Sequence, residues 1–190
     1  DGNGVIDATN STSLRINNQD QVAFSATLRD TLDGTGDNSA IYRTSAAYGT
    51  TLVTIAREGQ QSPDGDGRLA SLSTANMALN ELGHVAFSSF LTETSTSTNT
   101  AVWIGDGNEL VLVAREGQSL NGSLITNVSF DGDGNTTRSG LNDFGQVSYR
   151  ATLANGDSGV FLWTPDVHWK QNFDGNWSDT YRWTLGIAPK

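Results

Sequence analysis

Leu79-Asn80-Glu81-Leu82-Gly83-His84-Val85-Ala86-Phe87 governs the reading of this 190-residue chain, because the pattern occurs three times. The earlier copy is Ile16-Asn17-Asn18-Gln19-Asp20-Gln21-Val22-Ala23-Phe24, and the later one is Leu141-Asn142-Asp143-Phe144-Gly145-Gln146-Val147-Ser148-Tyr149. The shared valine returns about every 60 residues, a period found in propellers and tandem arrays. In each copy an apolar residue and an Asn lead into a tight turn. Asn closes such turns by hydrogen-bonding to backbone two residues further on. The fifth position is Asp20, Gly83 or Gly145, residue types that tolerate left-handed backbone. Val-Ala-Phe or Val-Ser-Tyr then opens an alternating strand. Asn17, Asn80 and Asn142 therefore read as turn-closing residues; a thrice-repeated ligand contact is the alternative.

Further strands follow each turn. A second reads Ala40–Arg43, Ala101–Ile104 and Gly159–Trp163, and a third reads Leu52–Gln60 and Leu110–Gln118. A weaker fourth reads Arg68–Leu72 and Leu124–Phe130. Turn residues punctuate the chain and no capped, helix-period stretch appears. The expected fold is all-β, built of tandem four-stranded antiparallel units, either propeller-blade-like or stacked small sheets. The expected division is a polar lead-in (1–12), repeat one (13–74), repeat two (75–138), partial repeat three (139–166) and a Trp-rich tail (167–190).

Asn80, Gly83, Ala86 and Phe87 make the pattern Asn-x-x-Gly-x-x-Ala-Phe, which resembles the NxxGxxAF tandem-repeat surface proteins of bacteria, whose arrays end in varied anchors. The resemblance covers most of residues 13 to 163. Asp20 replaces Gly in the first copy, and Ser148-Tyr149 replaces Ala-Phe in the third. It implies an exported protein of the cell surface and carries no enzymatic activity.

Bulk composition narrows the partners. The formal net charge is −10, which disfavours nucleic acid and anionic lipid and suits divalent cations. Without cysteine there is no disulfide, thiolate nucleophile or Cys-based zinc site. No apolar run is long enough for a transmembrane helix, so membrane insertion within this segment is not expected. The start at Asp1 lacks a basic region and apolar run, so any signal peptide is expected to be removed or to lie outside the segment.

Calcium is the one cofactor the sequence points to. Asp131, Asp133 and Asn135 alternate with Gly as oxygen ligands do in a loop folded around Ca²⁺. A solvated Gly-rich turn is the plainer alternative. Asp1, Asn3 and Asp7 resemble the inside of an EF-hand or dockerin loop, but the usual closing Glu is replaced by Asn10. In Pro63–Arg68, Arg68 stands in the third ligand position, which argues against a metal there. Sequons at Asn10, Asn121, Asn127, Asn135 and Asn176 are glycosylation candidates in a glycoprotein reading, and they barely exceed chance for this composition.

Catalysis has little to stand on. The chain has two histidines, and His84 occupies the position of Gln21 and Gln146, which reads as a solvated strand residue. No nucleophile elbow, phosphate loop or His-rich metal motif is present. Arg57-Glu58 and Arg115-Glu116 read as charge-paired strand ends. The preferred reading is a non-catalytic extracellular structural or adhesive module. The alternative is a carbohydrate-binding module or sugar-active enzyme using Trp169, Trp177 and Trp183, which read first as core residues. Self-association is also expected, because so few units leave sheet edges open; the competing account is a fragment whose missing units lie outside residues 1 to 190. The aromatic tail from Val167 onward is the candidate strand donor, and a fibre is the product if the pairing does not close.

Overall fold

The computed structural model describes residues 4–9, 14–45, 51–97, 99–132, 139–170 and 175–188. Thirteen strands form three antiparallel sheets in chain order, so the all-β, four-stranded-unit architecture holds. The first sheet contains β1 (Val5–Thr9), β2 (Arg15–Ile16), β3 (Val22–Arg29), β4 (Ser39–Thr44) and β5 (Leu52–Arg57). The second contains β6 (Arg68–Leu79), β7 (Val85–Thr92), β8 (Thr100–Gly105) and β9 (Leu110–Arg115). The third contains β10 (Ser119–Leu120), β11 (Ser123–Ser129), β12 (Val147–Leu153) and β13 (Ser158–Trp163).

The sheets are offset by one strand from the sequence repeat. The weak fourth strand of each unit, β6 or β11, pairs with the turn strand of the next unit, β7 or β12. A boundary at residue 74 therefore falls inside β6. The repeated Asn turn lies within a sheet, between β2 and β3, β6 and β7, or β11 and β12. The junction between sheets is the other repeated motif, Arg57-Glu58-Gly59-Gln60 and Arg115-Glu116-Gly117-Gln118. Glu116 N bonds back to Thr100 O at 3.0 Å, while Gly117 N bonds forward to Ile125 O at 2.8 Å. Gly59 and Gly117 take φ of 80° and 85° there, which glycine enters without a Cβ penalty.

The lead-in is also a strand. Val5↔Arg29 and Ile6↔Leu28 repeat the pairing Arg68↔Thr92 and Leu69↔Leu91 of the second sheet. Gly4 thus stands where Gly67 does, one residue before the strand. Gly4 and Gly67 both have positive φ, and a Cβ at either would lie 2.7 Å from a Thr methyl, of Thr31 or Thr94. The strand escapes a hydrophobic-pattern reading because all five of its residues are exposed at the sheet edge.

The middle sheet turns one face to the unit before it and one to the unit after. In the middle sheet Val85, Phe87 and Trp103 pack with Ala23, Ile41 and Ala56 of the first. Its other face, Ala86, Val102 and Ile104, packs with Val128, Tyr149 and Ala151 of the third. The middle sheet is thus covered on both sides, and Trp103 is fully buried with its indole N–H on Ser89 Oγ at 2.8 Å. The third sheet ends at β13 and has no strand matching β9 among the described residues.

The tail folds back on its own chain. Leu185 joins the core between the second and third sheets, and Trp183 is buried. Trp169 and Trp177 both meet Trp183 edge to face, at 5.1 and 4.5 Å between centroids. No helix among the described residues is long and apolar enough to cross a membrane.

Candidate functional site

The three Asn turns share one side-chain closure and stack on one another. Asn17 Oδ1 accepts from Gln19 N and Gln21 N at 3.1 and 3.0 Å. Asn80 Oδ1 accepts from Leu82 N and His84 N at 3.1 and 2.8 Å, and Asn142 Oδ1 from Phe144 N and Gln146 N at 3.0 Å each. That is the turn closure expected of these residues, and it fixes which end of each amide is oxygen. The amide nitrogen then reaches sideways. Asn17 Nδ2 donates to Asn80 O at 2.8 Å, and Asn80 Nδ2 donates to Asn142 O at 2.9 Å. The next residue repeats the step: Asn18 N donates to Glu81 Oε2 at 3.0 Å and Glu81 N to Asp143 Oδ1 at 3.0 Å. The result is a directional ladder of turns from the first unit to the third.

His84 sits inside that ladder. It is buried, not solvated, because flanking turns and the returning tail cover the middle copy. Its Nε2 lies 2.6 Å from Leu185 O, and a carbonyl only accepts, so Nε2 carries the proton. Its Nδ1, 3.1 Å from Asn80 Nδ2, therefore accepts from that amide. Gln21 Oε1 and Gln146 Oε1 accept the same bond from Asn17 and Asn142 at 2.8 Å each. Both ring nitrogens are thus committed, and burial lowers the imidazole pKa.

Around His84 opens a cleft of about 300 Å³, walled by Arg43, Asp106, Lys170, Thr180 and Gly186 among others. Its charges have structural work to do. Asp106 Oδ1 caps the β8–β9 hairpin by accepting from Asn108 N and Glu109 N at 2.7 and 2.8 Å. Glu109 accepts from Leu185 N and pairs with Lys170 at 3.2 Å. Arg43 donates to Gly83 O, and desolvation lowers its pKa. No uncommitted base stands beside a nucleophile here. The other histidine, His168, is exposed, and its Nδ1 lies 3.1 Å from both Asp166 O and Thr184 Oγ1.

A second cleft, of about 240 Å³, lies over Arg115. The buried guanidinium holds Asp64 at 2.6 Å and Asp66 at 3.4 Å, so an arginine occupies the space between these carboxylates. Burial alone would raise the Asp64 pKa; hydrogen bonds from Ser62 and Arg115 outweigh it and hold the carboxyl below its ordinary value. Sequence reasoning missed this clamp, although the recurring Arg57 and Arg115 were its visible sign.

Of the candidate calcium residues only Asp7 and Asp131 are described, and each is paired with an arginine. Asp131 is exposed and pairs with Arg150 at 3.5 Å, and Asp7 is exposed and pairs with Arg29 at 3.5 Å. Asp1, Asn3, Asp133 and Asn135 lie outside the described residues. Asp131 follows β11, whereas Asp64 precedes β6, so the two Asp-Gly loops are not equivalent positions. Among the described residues no three Asp, Glu or His side chains converge as a metal group. Of the sequons, Asn121, Asn127 and Asn176 are exposed, and Asn10 and Asn135 lie outside the described residues. Of the sugar-binding candidates, Trp183 is core, Trp169 is half-buried, and Trp177 is 64% exposed.

Comparison with curated proteins and with solved structures gave no match. Residues 3–166 match DUF7453, a family of unknown function, and the match stops where the third sheet gives way to the tail. The chain, repeats and all, belongs to the DUF7453 family.

Proposed function

We propose that this chain is a non-catalytic structural or adhesive repeat module of a bacterial surface. The observation that carries the proposal is the turn ladder. The residues with most chemistry in them are spent on structure: Asn17 and Asn80 join one unit to the next, His84 holds the returning tail, and Asp106 closes its own hairpin. A net charge of −10 and a surface rich in Asn, Ser and Thr suit an exposed, hydrated array. The resemblance to NxxGxxAF surface proteins points to the same location. Fractionation of cells, with protease treatment of intact cells, tests it: the protein is expected in the surface fraction and to be cleaved. Recovery from the cytoplasm, or turnover of a substrate by the purified chain, would overturn it.

A second reading is carbohydrate binding, favoured by the exposure of Trp177 beside Trp183. Saturable glycan binding by the wild-type chain, lost in Trp177→Ala, is the result that would prefer it.

A further inference from the structure

The two outermost sheets each leave bare a face that the middle sheet buries. The face of the third sheet turned away from the second carries Ser148, Val160 and Leu162, with Val160 71% and Leu162 63% exposed. Their counterparts Val102 and Ile104 are fully buried under the next unit. At the other end, the outer face of the first sheet carries Ile16, Val22, Phe24 and Tyr42, with Ile16 73% exposed and the other three half-buried. Its counterparts Val85, Phe87 and Trp103 are fully buried under the preceding unit. One end thus presents the surface that, inside the molecule, receives a following sheet. The other presents the surface that packs onto a preceding one.

The hydrogen-bond ladder stops at the same two places with matching polarity. Asn142 Nδ2 bonds Gln146 Oε1, but it lacks the sideways acceptor that Asn17 and Asn80 both have, and Asp143 N has no partner among the described residues. At the first turn, Asn17 O and Asn18 Oδ1 have no donor among the described residues. Donors end the ladder on the third unit and acceptors end it on the first.

From this we infer that the partner of each end is the other end of a second copy of this chain. The outer face of the third sheet packs on the outer face of a neighbour's first sheet. Asn142 Nδ2 and Asp143 N then donate to the neighbour's Asn17 O and Asn18 Oδ1. The arrangement continues an interface already made twice within the chain, so it needs no new surface chemistry. It deepens the structural-module reading on which it rests, and it gives self-association a route other than donation of the tail. Contact between unlike faces closes into a ring or runs on as a filament. Closed rings of such sheets hold about four to eight, so two copies of three sheets fall within that range.

Sedimentation and light scattering of the purified chain test the inference, with two variants that keep their native circular dichroism. Leu162→Asp disables the third-sheet face, and Ile16→Asp disables the first-sheet face. Wild type is expected to exceed monomer mass as concentration rises, and each variant alone to remain monomeric. Mixing the two variants is expected to double the mass, because each supplies the face the other lacks. That doubling also shows that both variants are folded. A wild-type mass of two protomers reports a ring, and a growing series of masses reports a filament; either supports the inference. A wild-type monomer at all concentrations, or a mixture that stays monomeric while wild type associates, would overturn it. Neither result bears on cell-surface location or on turnover, where the structural-module reading is tested.

Discussion

Val102 and Ile104 in the middle sheet and Val160 and Leu162 in the third stand at equivalent positions with nearly equivalent side chains. The first pair is core, and the second is largely in water. The difference lies in whether another sheet packs on that face, not in the residues themselves. In a repeat protein each sheet contributes half of two interfaces, so burial belongs to the array as much as to the sequence. The same holds for the turns: Asn17 and Asn80 are buried, and Asn142, last in the row, is exposed.

The largest effect should come from breaking the covered side of that comparison. Trp103 is fully buried between the first and second sheets, and Trp103→Ala should cost about 3–5 kcal/mol, combining lost burial with the cavity left behind. Val160→Ala, on the bare face, should change the stability of the monomer by less than about 0.5 kcal/mol. Urea unfolding at a concentration that keeps the chain monomeric measures both. Equal losses at the two sites would mean that the third sheet's outer face is covered within the chain.

The turns give a smaller, sharper version. Asn80→Ala strands the Leu82 and His84 amides and breaks the bonds to His84 and Asn142, in a turn where Asn80 and His84 are themselves buried. It should cost about 2–4 kcal/mol, since buried groups left unpaired pay their full desolvation. Asn142→Ala removes the same local closure where water can replace it, and should cost about 1 kcal/mol. Unfolding midpoints of the two variants decide it; a larger loss at Asn142 would break the comparison.

Much of this was legible in the sequence for a local reason. Turn closure by Asn and the strand segments are written in contiguous residues. Glu58–Gln60 and Glu116–Gln118, however, read as a continuation of the third strand, whereas the strands end at Arg57 and Arg115 and the chain turns into the next sheet. What stayed hidden depends on neighbours distant in sequence. β1 carries little hydrophobic signal because it is an exposed edge strand, and only its pairing with β3 identifies it. The strand offset between repeat and sheet is invisible because similarity marks the turn, and the turn lies inside a sheet. The tail read as unpartnered because no local pattern shows Leu185 reaching the core between two sheets. His84 was misplaced for a related reason: Gln21 and Gln146 suggest a polar, wet position, whereas the middle turn is roofed by units on both sides and by the tail.

His84 supplies the finest comparison between the middle turn and its sisters, because it alone of the three equivalent residues carries an ionisable ring. In the folded chain its Nδ1 accepts from Asn80, whose oxygen is held by two backbone amides and so cannot be flipped into its place without opening the turn. A second proton on the ring would set donor against donor. Together with burial this holds the folded pKa below the unfolded value of about 6.5. The unfolded chain then binds more protons than the folded one in the interval between the two values, so stability falls as pH falls through it. The contribution is complete above about pH 6.5 and is lost progressively below that, toward the depressed folded pKa. His84→Gln should remove this step while keeping the fold, because Gln accepts the same bond in the other two turns and its amide nitrogen can serve Leu185 O as Gln146 Nε2 serves Thr164. Melting temperatures of the two proteins, measured from pH 7.5 to 5, should run parallel above about pH 6.5 and diverge below it, with wild type falling faster. Parallel curves throughout would mean that the imidazole takes up its proton without disturbing the ladder.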